Sequence, residues 1–165
     1  ESRLLGDPEC GAQYIAEELL RSRVTLAAHA IGIAGGALNE AVRYTTEREQ
    51  FGKPIASFQM LRGMVADMAI RVEAGRAALH RAIESFEARD PAAKYHASIA
   101  KVLCSDAAMA VTTDAVQLHG GYGYLEDYPV ERMMRDAKIT QIYEGTNQIQ
   151  RLLIAKAVYE RMGED

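Results

Sequence analysis

The chain has 165 residues, 48% of them apolar and 25% charged, with a net charge of −4 at pH 7. That length suits one domain with its own core, and the acidic balance speaks against a general nucleic-acid binder, which needs a basic surface to displace counterions from phosphate. No apolar run approaches the roughly 18 residues a membrane-spanning helix requires, and no stretch reads as a signal peptide. The first residue is Glu1, so the natural chain is expected to begin earlier. Cys10 and Cys104 are far apart and form no C-x-x-C pair, so no disulfide framework is indicated. Cys104 reads as a small buried hydrophobe. His29, His80, His96 and His119 are scattered without metal-ligand spacing, and no metal site is expected.

From about Gln13 to Arg48 there is no proline. Leu20, Val24, Ala27, Ile31, Ala34, Leu38 and Val42 recur at helical spacing, and a second stripe from Ile15 through Leu26 to Tyr44 runs beside them. Two adjacent stripes make an apolar face broader than one helix partner covers, which predicts self-association as a dimer or tetramer. Gly32, Gly35 and Gly36 fall inside this helix and are expected where another backbone packs close. Gln50 to Ile55 breaks the pattern. Ser57 is the expected N-cap of a second helix, which carries Phe58, Leu61, Val65, Met68, Val72, Leu79, Ile83 and Phe86 and ends near Arg89.

Asp90-Pro91 reads as the N-cap and first position of a third helix. Its expected inward positions are Ile99, Val102, Asp106, Met109, Thr113 and Val116, and it stops at Gly120-Gly121. A glycine- and tyrosine-rich loop follows, then a short helix from Val130 to Asp136, a connector from Ile139 to Glu144, and a last helix from Thr146 or Asn147 to about Met162. No strands are expected. The sum is an all-α, antiparallel helical bundle.

Three local features could carry chemistry. Arg48 with Phe51, Gly52 and Gln59 puts a guanidinium, an aromatic ring and an amide around one loop, a set that can hold an anionic planar ligand. Gln117 precedes Gly120-Gly121, and exposed N–H groups in glycine-rich turns bind phosphate oxygens. Tyr143-Glu144-Gly145-Thr146 places a carboxylate in a loop just before a helix. Each feature also has a plain reading: a loop anchor, a helix stop, a charge at the favourable end of a helix dipole.

Taken together, the three resemble one family. Arg43-Tyr44-Thr45-Thr46-Glu47-Arg48-Glu49-Gln50-Phe51-Gly52-Lys53-Pro54-Ile55, then Gln117-Leu118-His119-Gly120-Gly121-Tyr122-Gly123, then Arg135-Asp136-Ala137-Lys138-Ile139 with Ile142-Tyr143-Glu144-Gly145-Thr146-Asn147-Gln148-Ile149-Gln150 are similar, in order, to the signatures of the acyl-CoA dehydrogenase C-terminal domain. The resemblance covers the whole chain, 1–165, and implies that an N-terminal helical domain and a middle β-domain are absent from it. It also implies oxidation of an acyl-CoA thioester to the 2-enoyl-CoA, FAD as cofactor, an electron-transferring flavoprotein as acceptor, a homo-oligomer with FAD between subunits, and a bacterial cytoplasmic or mitochondrial matrix setting.

Residue by residue, Glu144 matches the family's catalytic base. Some relatives carry their base on the first long helix, and that position here is Ser22. Arg48, Gln50, Phe51 and Gln59 match FAD contacts across the subunit interface. Gln117, Gly120 and Gly121 match the loop near the ADP moiety, and Thr146 and Gln148 match further FAD contacts. Arg23, Tyr143 and Gly145 match the substrate side, while a substrate-contacting Asp common in the family is Leu20 here. The fragment by itself is expected to be inactive. Two other readings stand beside this one: a non-catalytic helical assembly module, and a flavin oxidase or monooxygenase relative.

Overall fold

A 37-residue helix, α1 (Gly11–Glu47), sets the long dimension of the molecule; the computed structural model describes residues 3–163. It stops at Arg48, whose backbone turns extended while its N–H donates to the Tyr44 carbonyl at 2.8 Å. The chain then reverses in a small hairpin in which Glu49–Gln50 (β1) pairs antiparallel with Lys53–Pro54 (β2). No strand was expected here. The turn residues Phe51 and Gly52 both take positive φ, 55° and 76°, the backbone of a two-residue hairpin turn. Glycine adopts that geometry freely, but phenylalanine does so under strain.

A turn at Ile55–Ser57 leads into α2 (Gln59–Glu87). The expected N-cap, Ser57, lies inside that turn, and the position is taken by Phe58 without a side-chain hydrogen bond. At the far end Arg89 adopts φ 51°, Arg89 N–H donates to the Phe86 carbonyl and Asp90 N–H to the Ser85 carbonyl. These crossed bonds satisfy carbonyls the helix would leave open. Asp90 accepts the Ala92 N–H at 2.8 Å, but in the turn before the helix rather than at its expected N-cap: α3 (Ala93–His119) begins three residues later, with Ala92 at the cap position and no side-chain hydrogen bond there.

α3 is the centre of the bundle, packed against α1, α2, α4 (Val130–Thr140) and α5 (Asn147–Met162). Its buried residues are Ala97, Ala100, Lys101, Cys104, Ala107, Ala108, Val111, Thr112, Ala115 and their neighbours. The inward positions expected for α3 are therefore wrong. Ile99, Val102, Asp106, Met109 and Val116 are half-buried, and Thr113 is exposed. Most side chains that α3 turns toward its neighbours are small, alanine above all, which lets the helix axes approach, and Lys101 is the large exception. The hydroxyls of Ser105, Thr112 and Thr113 bond to their own helix, as in Thr112 to the Ala108 carbonyl at 2.7 Å, which satisfies them without a partner element, whereas the buried Ser98 Oγ has no hydrogen-bond partner.

Cys104 is buried as expected, and burial pushes its thiol up to about 12. The mid-helix glycines of α1 do not meet a neighbouring backbone. A Cβ on Gly35 or Gly36 would touch only the tips of Arg76 and Met133, and one on Gly32 nothing. The broad face of α1 is largely consumed inside the bundle, with Ile15, Leu19 and Val42 left exposed. The glycine that closes the fold is Gly123, in the turn Gly120–Tyr124 after α3. A Cβ there would lie 2.6 Å from the Val116 carbonyl oxygen.

α4 runs four residues past its expected end at Asp136, to Thr140, with Val130, Ala137 and Thr140 buried. The loop from Gln141 to Thr146 then returns to α5 over a buried polar cluster on α3. Asp106 Oδ1 accepts from Gln141 Nε2 at 2.7 Å and from Asn147 Nδ2 at 2.8 Å, and Oδ2 accepts from Arg151 at 2.6 Å. Lys101, with no exposed surface, donates to Asn147 Oδ1 at 2.6 Å.

Two predictions follow from this packing. Gly123→Ala should lower stability by about 1–3 kcal/mol through overpacking against backbone, whereas Gly121→Ala, where a Cβ meets nothing within 4 Å, should leave it nearly unchanged; equal urea midpoints for the two variants would contradict this. Burial, reinforced by Arg23 and Arg151 and opposed by Asp106 and Glu144, pulls the Lys101 ammonium down from 10.5 to about 8. Below about pH 8 the folded state carries the cost of the buried charge. Between about 8 and 10.5 it has released a proton that the unfolded chain keeps, so this group makes the fold more stable as pH rises. The parent should therefore gain on Lys101→Met in urea midpoint from pH 7 to 10, and parallel pH profiles would refute it.

Candidate active site

Two groups of the residues singled out in the sequence come together, one against the N-terminal half of α1 and one at its C-terminal end. The first is built on the α4–α5 loop. Glu144 and Gly145 take consecutive left-handed conformations, φ 58° and 85°. A left-handed backbone is uncommon for glutamate and persists only where its surroundings enforce it. The enforcing side chain is Gln150. It is fully buried on α5, and its Nε2 donates to the carbonyls of Glu144 at 3.2 Å and Gly145 at 3.3 Å. The φ of Gly145 favours glycine, and a Cβ there would sit 2.7 Å from that nitrogen, so a side chain would have to displace the bracing amide. Thr146 caps α5, its side chain accepting the Ile149 N–H at 3.3 Å.

This bend directs the Glu144 carboxylate onto α1. Ser22 Oγ donates to Glu144 Oε2 at 2.6 Å. The next residue, Arg23, is only 8% exposed, and its Nε is buried with no hydrogen-bond partner. Burial lowers the basicity of the Arg23 guanidinium, with the charge of Glu144 opposing that shift. Tyr143 OH lies 3.3 Å from His29 Nδ1, and burial together with Glu144 raises the phenol. A half-buried carboxylate held on a stiff loop, with a guanidinium beside it, can accept a proton from a bound molecule and retain charge balance in the site.

The second group lines a 470 Å³ cleft where the C-terminal ends of α1 and α3 meet the hairpin. Arg48, Gln50, Gln117, Gly120 and Gly121 all face it, together with Tyr44, Ile55 and Tyr122. The Arg48 guanidinium lies 5.4 Å from the centre of the Tyr122 ring, and His119 stacks on Tyr44 with ring centres 4.1 Å apart. Cβ atoms at Gly120 or Gly121 would meet nothing within 4 Å. A cation, two carboxamides and an open diglycine turn suit an extended anionic ligand such as a dinucleotide pyrophosphate.

Three predicted ligand contacts stand apart from both groups. Phe51 is 89% exposed at the hairpin tip, edge-on to Phe58 at 6.1 Å, Gln59 is exposed at the start of α2, and Gln148 is exposed on α5. From Arg23 to Arg48 is 25 residues of helix, about 37 Å at roughly 1.5 Å per residue. The two groups therefore cannot grip the same end of one cofactor within a single copy. Sequence reading overlooked Ser22 as a partner of Glu144, Gln150 as the brace of its backbone, and Lys101 beneath Asn147. Gln150 lies between the exposed Ile149 and Arg151, so nothing in the sequence marks it as buried.

The chain matches the family model for the acyl-CoA dehydrogenase C-terminal domain over residues 9–159. It is 50% identical over 155 residues to a cyclohex-1-ene-1-carbonyl-CoA dehydrogenase of Geobacter metallireducens and 49% identical over 156 residues to an acyl-CoA dehydrogenase of Bacillus subtilis, in each case covering 94% of this chain and 41% of the relative. The solved structure of butyryl-CoA dehydrogenase from Megasphaera elsdenii superposes with a TM-score of 0.89 at 47% identity, over 93% of this chain and 40% of that one. The chain thus spans about two fifths of the length of the curated relatives it matches. By the family model, by identity and by fold, it belongs to the acyl-CoA dehydrogenase family, as its C-terminal domain.

Proposed function

We propose that this chain is the catalytic-base and assembly domain of an FAD-dependent acyl-CoA dehydrogenase, in which Glu144 removes the α-proton of an acyl-CoA thioester on the way to the 2-enoyl-CoA. The observation that carries the reading is the placement of Glu144: a carboxylate on a braced left-handed bend, hydrogen-bonded to Ser22 and beside the buried Arg23. In the full protein the domain works beside an N-terminal helical and a middle β-domain, and an electron-transferring flavoprotein takes the electrons.

The residues present fit an FAD. Arg48, Gln50, Gln117 and the Gly120-Gly121 turn would hold its pyrophosphate and nucleotide portion, while Thr146 lies beside Glu144 at the other half-site and the exposed Gln148, on the first turn of α5, would contact the flavin from outside that group. FAD when bound supplies the acceptor for the hydride leaving the substrate β-carbon. The chain's own residues do the remaining work. Gln150 keeps the Glu144 carbonyl turned toward α5, which frees the carboxylate to face α1. Ser22 holds that carboxylate until a thioester displaces the hydrogen bond, and Arg23 keeps a positive charge near the carboxylate as the site loses water. Gly145, without a side chain, leaves space for the thioester beside the backbone. Because the half-sites are about 37 Å apart along α1, each flavin draws its base from one copy and its nucleotide contacts from another, which makes a homo-oligomer a requirement of the chemistry.

In the full-length enzyme, Glu144→Gln should bind acyl-CoA and flavin normally and slow anaerobic flavin bleaching by about 10²-fold or more, the usual scale for losing a general base; bleaching at the parental rate would remove Glu144 from the mechanism. Arg48→Ala should weaken flavin retention by about ten- to a hundredfold, the worth of a hydrogen bond from a charged group. Co-expressing the Glu144→Gln and Arg48→Ala chains should restore activity, because a mixed pair contains one site free of both changes. Failure of the mixture to exceed either variant would mean that a single copy supplies both half-sites to its flavin.

A further inference from the structure

We propose that Lys101 is a positioning residue for the Glu144 loop: its buried ammonium grips the Asn147 side-chain carbonyl and so fixes where the loop becomes α5. The inference rests on the reading of Glu144 as the base. Lys101 has no exposed surface, yet it sits on the small-residue face of α3 among Ala97, Ala100 and Cys104. Packing does not call for an ammonium there, since an apolar residue of similar volume avoids burying a charge.

The hydrogen bonds show what the charge accomplishes. Among the described residues, the ammonium's one hydrogen bond is to Asn147 Oδ1, at 2.6 Å. Asn147 Nδ2 donates to Ser105 Oγ at 2.9 Å and to Asp106 Oδ1 at 2.8 Å. A carboxamide in such a place could rotate and exchange its oxygen for its nitrogen. Lys101 forbids this, because a rotated NH2 group would face an ammonium, donor against donor. With the amide so oriented, Asp106 Oδ1 receives both Asn147 and Gln141 Nε2 at 2.7 Å, and the two ends of the loop are pinned to one carboxylate oxygen. Asn147 N–H also donates to the Gln141 carbonyl at 3.0 Å, closing the same ring through the backbone. The charges acting on Lys101 come from every element around it: Asp106 on α3, Arg23 on α1, Arg151 on α5 and Glu144 on the loop. Glu144 stands three residues from the pinned end, so a slack Asn147 displaces the base itself.

The test uses the full-length flavoenzyme with three variants, Lys101→Met, Asn147→Ala and the double variant, with Glu144→Gln as reference. Methionine fills the lysine's volume without charge, so flavin content and oligomeric state should be kept. The expected result has three parts. Hydrogen exchange in peptides covering residues 141–150 rises at least tenfold in Lys101→Met while α1 and α2 are unchanged. Turnover per flavin falls about ten- to a hundredfold with KM little altered, the signature of a misplaced catalytic group. Lys101→Met lowers turnover no further when Asn147 is already alanine, because the two residues act in series. Unchanged exchange in the loop, unchanged turnover per flavin, or additive losses in the double variant would each overturn the proposal. Parental bleaching by Glu144→Gln would instead overturn the assignment of the base. The two failures are told apart because the exchange measurement reads the loop without any chemistry.

Discussion

One oxygen of Asp106 accepts hydrogen bonds from both ends of the loop that carries Glu144, and the site depends on that convergence. A carboxylate that is to act as a base must be held still, yet its own oxygens must stay available to substrate. Neutralising it in a tight ion pair would defeat the purpose. The structure resolves this by restraining the backbone instead. Gln150 ties the carbonyls of Glu144 and Gly145, Asn147 ties the loop's exit, and the carboxylate itself is left with one hydroxyl partner, Ser22. The left-handed conformation of Glu144 is the visible cost of this arrangement.

The second determinant is the length of α1. A single proline-free helix carries Ser22 and Arg23 about a third of the way along and Arg48 at its C-terminal cap, so the residues that suit a proton transfer and those that suit a phosphate are kept apart by a rigid rod. On the reading proposed above, each of the two groups is half of a site that a second copy completes. Packing α3 against four other helices serves the same purpose, because α3 bears the diglycine turn at its C-terminal end and the Lys101–Asp106 cluster near its middle. The positions of both half-sites are therefore set by the same central helix.

The helical architecture was legible in the sequence because sustained period-3.6 stripes and glycine or proline breaks fall where the helices start and stop. The carboxylate, the diglycine turn and the arginine near the end of α1 were legible as motifs. What escaped detection had physical reasons. The inner face of α3 is built of alanine, serine and cysteine, so its most apolar-looking stripe points elsewhere. The hairpin at Gln50–Lys53 depends on a phenylalanine in a conformation its type disfavours. Ser57 looks like a cap but is spent in a preceding turn. Lys101 gave no sign of its role, because its partner, Asn147, is 46 residues away in sequence.

The central claim is that Glu144 takes the α-proton, and it is tested most directly by separating that step from hydride transfer. An acyl-CoA whose β-carbon bears no hydrogen cannot be dehydrogenated, but its α-hydrogens can still exchange with solvent. Incubated in deuterated water with the full-length flavoenzyme and followed by proton NMR, it should lose its α-proton signal with the parent and retain it with Glu144→Gln. Equal exchange by the two proteins would contradict the account and leave Glu144 as a charge at a helix N-terminus.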